Sequence, residues 1–164
     1  MKISIGKVYN FPDAEEQFSG SLDLRYVKRH GNELFPELLA VTGKVFNRAN
    51  VVSLRYQIKG VLPFLCDRCL MQSRMDIDKE FSHIVVKKLE DENLEDVYIV
   101  CPEEILNIDE IVASDLLLYI PTILLCREDC KGLCSECGAN LNEGDCGCNK
   151  ITVDPRMAKL LDLL

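Results

Sequence analysis

The sequence predicts an α+β fold: an antiparallel, barrel-like sheet from its amino-terminal half, one central helix, a cysteine-rich extension and a C-terminal helix. Three observations carry this expectation. Val52, Leu54, Tyr56 and Ile58 alternate with Ser53, Arg55, Gln57 and Lys59, the period-two pattern of a half-buried strand. Ile111, Val112, Leu116 and Tyr119 recur at helical spacing up to Pro121, which ends the helix at about Tyr119 by restricting the residue before it. Six of the nine cysteines crowd between Cys126 and Cys148.

In chain order, Ile3-x-Ile5 reads as a short strand, followed by a polar connection around Phe11-Pro12-Asp13. Leu22, Leu24 and Tyr26 alternate with Asp23, Arg25 and Val27, which predicts a second strand, and His30-Gly31-Asn32 reads as a turn. Leu39 to Phe46 is strand-like and joins the 52–59 strand through a hairpin turn at Asn47-Arg48-Ala49-Asn50. A further strand fits Met75 to Val86, where Asp76, Asp78 and Glu80 interleave with apolar residues. The acidic run Glu90 to Asp96 reads as a surface loop, and Cys101, after the apolar Val97 to Val100, as a buried small hydrophobe. Asp109 is the expected N-cap of the central helix. At the far end, Asp154-Pro155 is a cap and first-turn proline, and Met157, Leu160, Leu161 and Leu164 form the stripe of a short amphipathic helix. The expected division is 1–125, a sheet core that includes Cys66 and Cys69, and 126–164, a cysteine-rich extension packed with it as one unit.

The cysteine spacing points to metal. Cys134-x2-Cys137 brings two thiols to one side of a tight turn, and Gly138 supplies the positive φ that aims backbone N–H groups at sulfur, the mark of a zinc knuckle. Cys146-Gly147-Cys148 offers two more thiolates, and four soft donors in tetrahedral reach favour zinc. Cys66-Asp67-Arg68-Cys69 is a second half-site at a hairpin turn, and its natural partners are the surplus pair Cys126 and Cys130. Two zinc ions per chain are therefore expected.

Other uses of these thiols fit less well. A disulfide framework needs an oxidising compartment, yet Met1 to Lys7 lacks the apolar run of a signal peptide, and nine cysteines leave one unpaired. Cys130-x3-Cys134-x2-Cys137 also matches the spacing of radical iron–sulfur enzymes, but those carry it near the chain start with an aromatic before the last cysteine, where Glu136 stands here. Spacing alone does not separate zinc from such a cluster. The segment after Cys69, from Leu70 to Ile77, has strand character, unlike a thioredoxin-type site, and no Cys-His pair supports thiolate catalysis, since His30 and His83 read as ordinary surface or sheet residues. No phosphate loop or acid/base constellation is visible, so the chain is expected not to be an enzyme and to have no small-molecule substrate.

At 164 residues the chain is long enough to bury about 70% of its unfolded surface, so metal is not needed merely to compensate for a small core. No apolar run reaches the length of a membrane span, and a cytoplasmic protein without a membrane partner is expected. Charge is divided unevenly. Residues 1–88 carry 14 Lys/Arg and 10 Asp/Glu, residues 89–126 carry none and 10, and residues 127–164 carry 5 and 7. Broad nucleic-acid binding is unfavourable for such a chain, and any phosphate contact belongs to the amino-terminal half, with Arg55 and Lys59 on one strand face as candidates.

The ordered set Cys66-Asp-Arg-Cys69, Ile108-Asp-Glu before an apolar helix ending at Pro121, Cys126-x3-Cys130-Lys-Gly-Leu-Cys134-x2-Cys137-Gly138-Ala-Asn-Leu-Asn142, and Asp154-Pro155-Arg156 resembles the bacterial YceD family. Leu70 departs from the pattern of zinc knuckles, which commonly carry glycine there. The resemblance implies a part in the synthesis, processing or stability of 23S ribosomal RNA. It also implies as partner the large-subunit rRNA, met directly or through a ribosome-assembly protein. From the residues alone, a zinc-stabilised interaction adaptor in transcription or translation without RNA contact is the alternative.

Overall fold

The computed structural model describes residues 1–29, 31–89 and 98–148. The expected acidic loop at Glu90 to Asp96, His30 and the expected C-terminal helix from Asp154 lie outside these residues. The described elements run β1 (Lys2–Ser4), α1 (Gly6–Asn10), β2 (Glu15–Leu22), β3 (Lys28–Arg29), β4 (Asn32–Glu33), β5 (Leu39–Arg48), β6 (Val51–Leu65), β7 (Gln72–Val86), β8 (Tyr98–Val100), β9 (Ile105–Asn107) and α2 (Ile108–Tyr119). None of the described helices is long and apolar enough to cross a membrane.

Two compact units emerge. One comprises Met1–Phe64 and Ser73–Thr122; the other comprises Leu65–Gln72 and the chain from Ile123 onward. The turn carrying Cys66 and Cys69 therefore groups with the cysteine-rich segment, where the sequence had suggested the sheet core.

The first unit is built on a five-stranded sheet of order β2-β5-β6-β7-β8. β5 and β6 pair antiparallel from Ala40↔Lys59 to Arg48↔Val51, and the two-residue turn between them puts Ala49 and Asn50 at φ +52° and +65°, as a tight hairpin requires. Their alternation is sharp: Leu39, Val41 and Val45 of β5 and Val52, Leu54, Tyr56 and Ile58 of β6 are buried, while the interleaved residues look outward. At Gly43 a Cβ would come 2.5 Å from that of Tyr56 and 2.7 Å from the Phe18 ring, so glycine is what lets the Phe18 ring lie across the strand.

The sheet is not a barrel. β2 and β8 stand at opposite edges, and the three-residue β8 joins β7 in parallel, Ile84 opposite Tyr98. Barrel closure buries one face of a sheet against itself; here α2 covers that face instead, bonding through Asp115 to Tyr56 and His83 and setting Tyr119 edge-on to Phe81 at 6.2 Å.

Three local expectations also change. The strand expected over Leu22 to Val27 does not form: β2 lies earlier, at Glu15–Leu22, and stops there because Asp23 turns the chain, accepting hydrogen bonds from the Arg25 backbone and guanidinium at 3.0 Å. After β1, residues Gly6–Asn10 form a short helix with Val8 buried, an element not expected, ahead of the connection at Phe11-Pro12-Asp13. α2 starts at Ile108 with Asn107 as its N-cap; Asp109 lies in the first turn, where its charge suits the helix dipole. Its end at Tyr119, just before Pro121, is as the sequence predicts.

Candidate metal centres

Cys66 and Cys69 sit in the turn between β6 and β7. The turn closes through Leu70 N–H donating to the Cys66 carbonyl at 2.9 Å and Cys66 N–H donating to that of Met71 at 2.9 Å. Leu70 takes φ +59° there. It is then tied to the later segment: Asp67 N–H donates to the Leu124 carbonyl at 2.8 Å, Leu124 N–H returns a bond to the Asp67 carboxylate at 2.6 Å, and Leu133 N–H reaches the Arg68 carbonyl at 3.1 Å. Arg68 closes the circuit on the Cys130 carbonyl at 3.0 Å. Gly132, at φ +76°, is required for this docking, since a Cβ would stand 3.1 Å from the Arg68 carbonyl oxygen.

These contacts bring four sulfurs together. Cys66 and Cys130 lie 3.7 Å apart, Cys69 and Cys126 3.6 Å apart, and all four lie within 4.8 Å of one another. None of the cysteines forms a disulfide. Four sulfurs at a zinc–sulfur distance of about 2.3 Å around one tetrahedral ion would be separated by about 3.8 Å, so the set fits. Cys66, Cys69 and Cys130 are buried with Leu125 packed against them, and the Asn142 amide donates to the Cys130 sulfur at 3.3 Å.

Cys134, Cys137, Cys146 and Cys148 form the second set, again within 4.8 Å of one another. Its first turn repeats the knuckle: Gly138 N–H donates to the Cys134 carbonyl at 3.0 Å with Gly138 at φ +74°. Gly147 at φ +72° bends the chain between the last two ligands. Only Cys134 is buried here; Cys137 is exposed, and Cys146 and Cys148 are half-buried.

The electrostatics of both sets call for a cation. Burial works to raise the Cys66 thiol, but backbone N–H groups of Cys126, Cys69 and Arg68 outweigh it and bring it down to about 6. Cys134 is likewise brought to about 6, chiefly by the N–H groups of Cys137 and Glu136. Their neighbours resist. Cys126 is pushed up to about 12 by burial and then by Cys130, Cys69 and Cys66, and Cys148 to about 12 by Cys137 and Cys146. In the first set Cys66 and Cys130 are lowered and Cys126 raised, and in the second Cys134 is lowered and Cys148 raised, so a nearby positive charge favours ionising the resisting thiols. Both sets could hold a metal ion, and both match the division expected from the sequence, with Cys101 buried and outside them.

Arg55 and Lys59 do share the outward face of β6, but each is engaged: Arg55 lies 3.4 Å from Glu80 and Lys59 3.7 Å from Asp78. Arg55 also borders a shallow depression of about 390 Å³ with Gln17, Thr42, Lys44 and Gln57. On the inward face the sequence reading missed a network in which the Tyr56 hydroxyl donates to Asp115, whose same oxygen meets His83 Nε2. Burial first, and the bond to Asp115 second, raise the Tyr56 hydroxyl far above its ordinary value, so it stays protonated as a donor. A polar residue at an inward strand position, His83 between Phe81 and Val85, was the available signal.

Residues 54–164 match the model of the family described as large ribosomal RNA subunit accumulation protein YceD. The chain belongs to this family. The match begins within β6 and takes in α2 and both cysteine sets of this YceD chain. Over 62 residues it is 34% identical to uncharacterised proteins of Mycobacterium bovis and of two strains of Mycobacterium tuberculosis, which covers 38% of this chain and 30% of each of theirs. The YceD chain thus spans about 30% of the length of the curated relatives it matches. No solved structure matches it significantly.

Proposed function

We propose that this YceD protein is a non-enzymatic cytoplasmic factor for 23S rRNA synthesis, processing or stability, held in its working shape by two zinc ions. The observation that carries the reading is that a chain of the large-subunit rRNA accumulation family gathers eight thiols into two sets of four. Cys66, Cys69, Cys126 and Cys130 would hold one ion, and Cys134, Cys137, Cys146 and Cys148 the other. Zinc supplies structural cross-links at such sites; catalytic zinc keeps a coordination position open, and four protein thiolates leave none. The chain's own contribution is to fix the segments around the two knuckles as a rigid surface.

Depleting the protein and measuring ribosomal fractions tests this. The expected result is a fall of 23S relative to 16S rRNA, restored by the native chain and not by a Cys69→Ser variant. An unchanged ratio would overturn the reading. A second reading, an adaptor that meets rRNA only through a protein, is favoured by the pairing of Arg55 with Glu80 and Lys59 with Asp78. Titration with a large-subunit rRNA fragment at low salt separates the two, since direct contact gives salt-dependent binding.

A further inference from the structure

We propose that Leu70, Met71 and Leu133, beside the first knuckle, form a docking surface for a strongly basic protein segment carrying an aliphatic or aromatic anchor. The identification of that segment as part of a large-subunit ribosomal protein rests on the functional reading above; the surface itself does not.

Leu70 is 61% exposed, Met71 47% and Leu133 36%. They belong to one small region: Leu70 closely follows Arg68, whose carbonyl accepts from Leu133 N–H at 3.1 Å, Met71 is adjacent to Leu70, Leu133 bridges to Asn140, and the Asn140 amide lies 3.1 Å from the Met71 sulfur. Leu70 is the informative member. Its φ of +59° is disfavoured for a side chain with a Cβ, and the equivalent residue of the second knuckle is Gly138, which adopts φ +74° freely. Glycine at position 70 would relieve the backbone and remove an exposed apolar side chain from water. Leucine carries both costs while standing largely exposed among the described residues, and a partner that buries it would offset them.

Charge selects the occupant. Among the described residues of this unit, six acidic side chains face three basic ones, a net of −3. Two tetrathiolate zinc ions at −2 each would bring it to about −7. Glu143 places its carboxylate 3.2 Å from the same Asn140 amide that touches Met71, at the margin of the apolar surface. An RNA backbone, an anionic membrane and a second copy of this unit are all repelled by such a field, and a cationic segment is drawn to it. The apolar anchor then supplies the contact that survives salt, and the surrounding basic residues speed encounter.

The test uses the full-length zinc-loaded protein and overlapping synthetic peptides that tile the large-subunit ribosomal proteins. Bound peptides are expected to combine Lys/Arg runs with an apolar anchor, to weaken with salt, and to lose affinity when the anchor is changed to serine. Leu70→Gly should weaken binding about tenfold or more, the worth of one well-buried leucine side chain, with zinc content retained and the thermal midpoint within about 2 °C of the native chain. Binding of no peptide at low salt, binding indifferent to the anchor or to Leu70→Gly, or loss of zinc in that variant would overturn the proposal. Peptide binding that appears only after residues 149–164 are removed would assign the surface to the chain's own end, and preferential capture of an rRNA fragment would assign it to RNA. The ribosome-depletion result is read separately, so a normal 23S level with intact peptide binding would sink the functional reading alone.

Discussion

Breaking the first metal set should damage the whole fold, and breaking the second should not. Cys69→Ser removes a ligand that meets Cys126 across 57 residues of chain, whereas Cys146→Ser removes one that lies nine residues beyond Cys137. An unfolded chain closes the longer span at an entropic cost about 1.6 kcal/mol greater than the shorter, so the second set can gather metal without the fold while the first depends on it. A metal that also binds the unfolded chain stabilises the folded state less. Structural zinc can contribute about 10 kcal/mol, comparable with the whole stability of a domain. The closure difference alone sets a floor of about 3–6 °C on the extra fall in thermal midpoint for Cys69→Ser. Burial points the same way, with three of the first four sulfurs buried and only one of the second. Thermal unfolding of the two variants, with hydrogen exchange to localise the damage beyond Leu133 in Cys146→Ser, is the assay. Equal losses of midpoint would refute the reasoning.

Cys101→Ser should leave the zinc content unchanged, because Cys101 belongs to neither set; elemental analysis of the variant checks it. Tyr56→Phe removes a hydroxyl donor from Asp115 and should cost about 2 kcal/mol in denaturant unfolding, with zinc retained. Neutralising Arg55 and Lys59 together should weaken binding to a large-subunit rRNA fragment and flatten its salt dependence if this face meets phosphate; an unchanged slope shows that it does not.

The grouping of the eight cysteines was legible in the sequence because cysteine spacing is a local property: two C-x2-C turns and two closely spaced pairs admit few groupings, and the structure gathers the thiols into the expected two sets of four. The β5–β6 hairpin was legible for a similar reason, since alternation and turn residues act within a few positions. The failures lie where distant partners decide. Leu22 to Tyr26 alternates like a strand, but Asp23 bonds locally to Arg25 and wins. An open sheet and a barrel can share the same alternation, and only the covering of one face by α2 separates them. The grouping of the Cys66 turn with the cysteine-rich segment depends on Asp67 and Arg68 reaching Leu124 and Cys130, and no periodicity announces that. Tyr56, His83 and Asp115 come from two strands and a helix, so their meeting leaves no mark in spacing.

The most direct test of the account is the metal content of protein purified without chelator, by elemental analysis together with the absorption spectrum. Two zinc ions per chain in a colourless protein, falling to one on substitution of a ligand in either set, is the predicted result. One ion or none in the native chain, or stoichiometric iron with visible absorption, would contradict it.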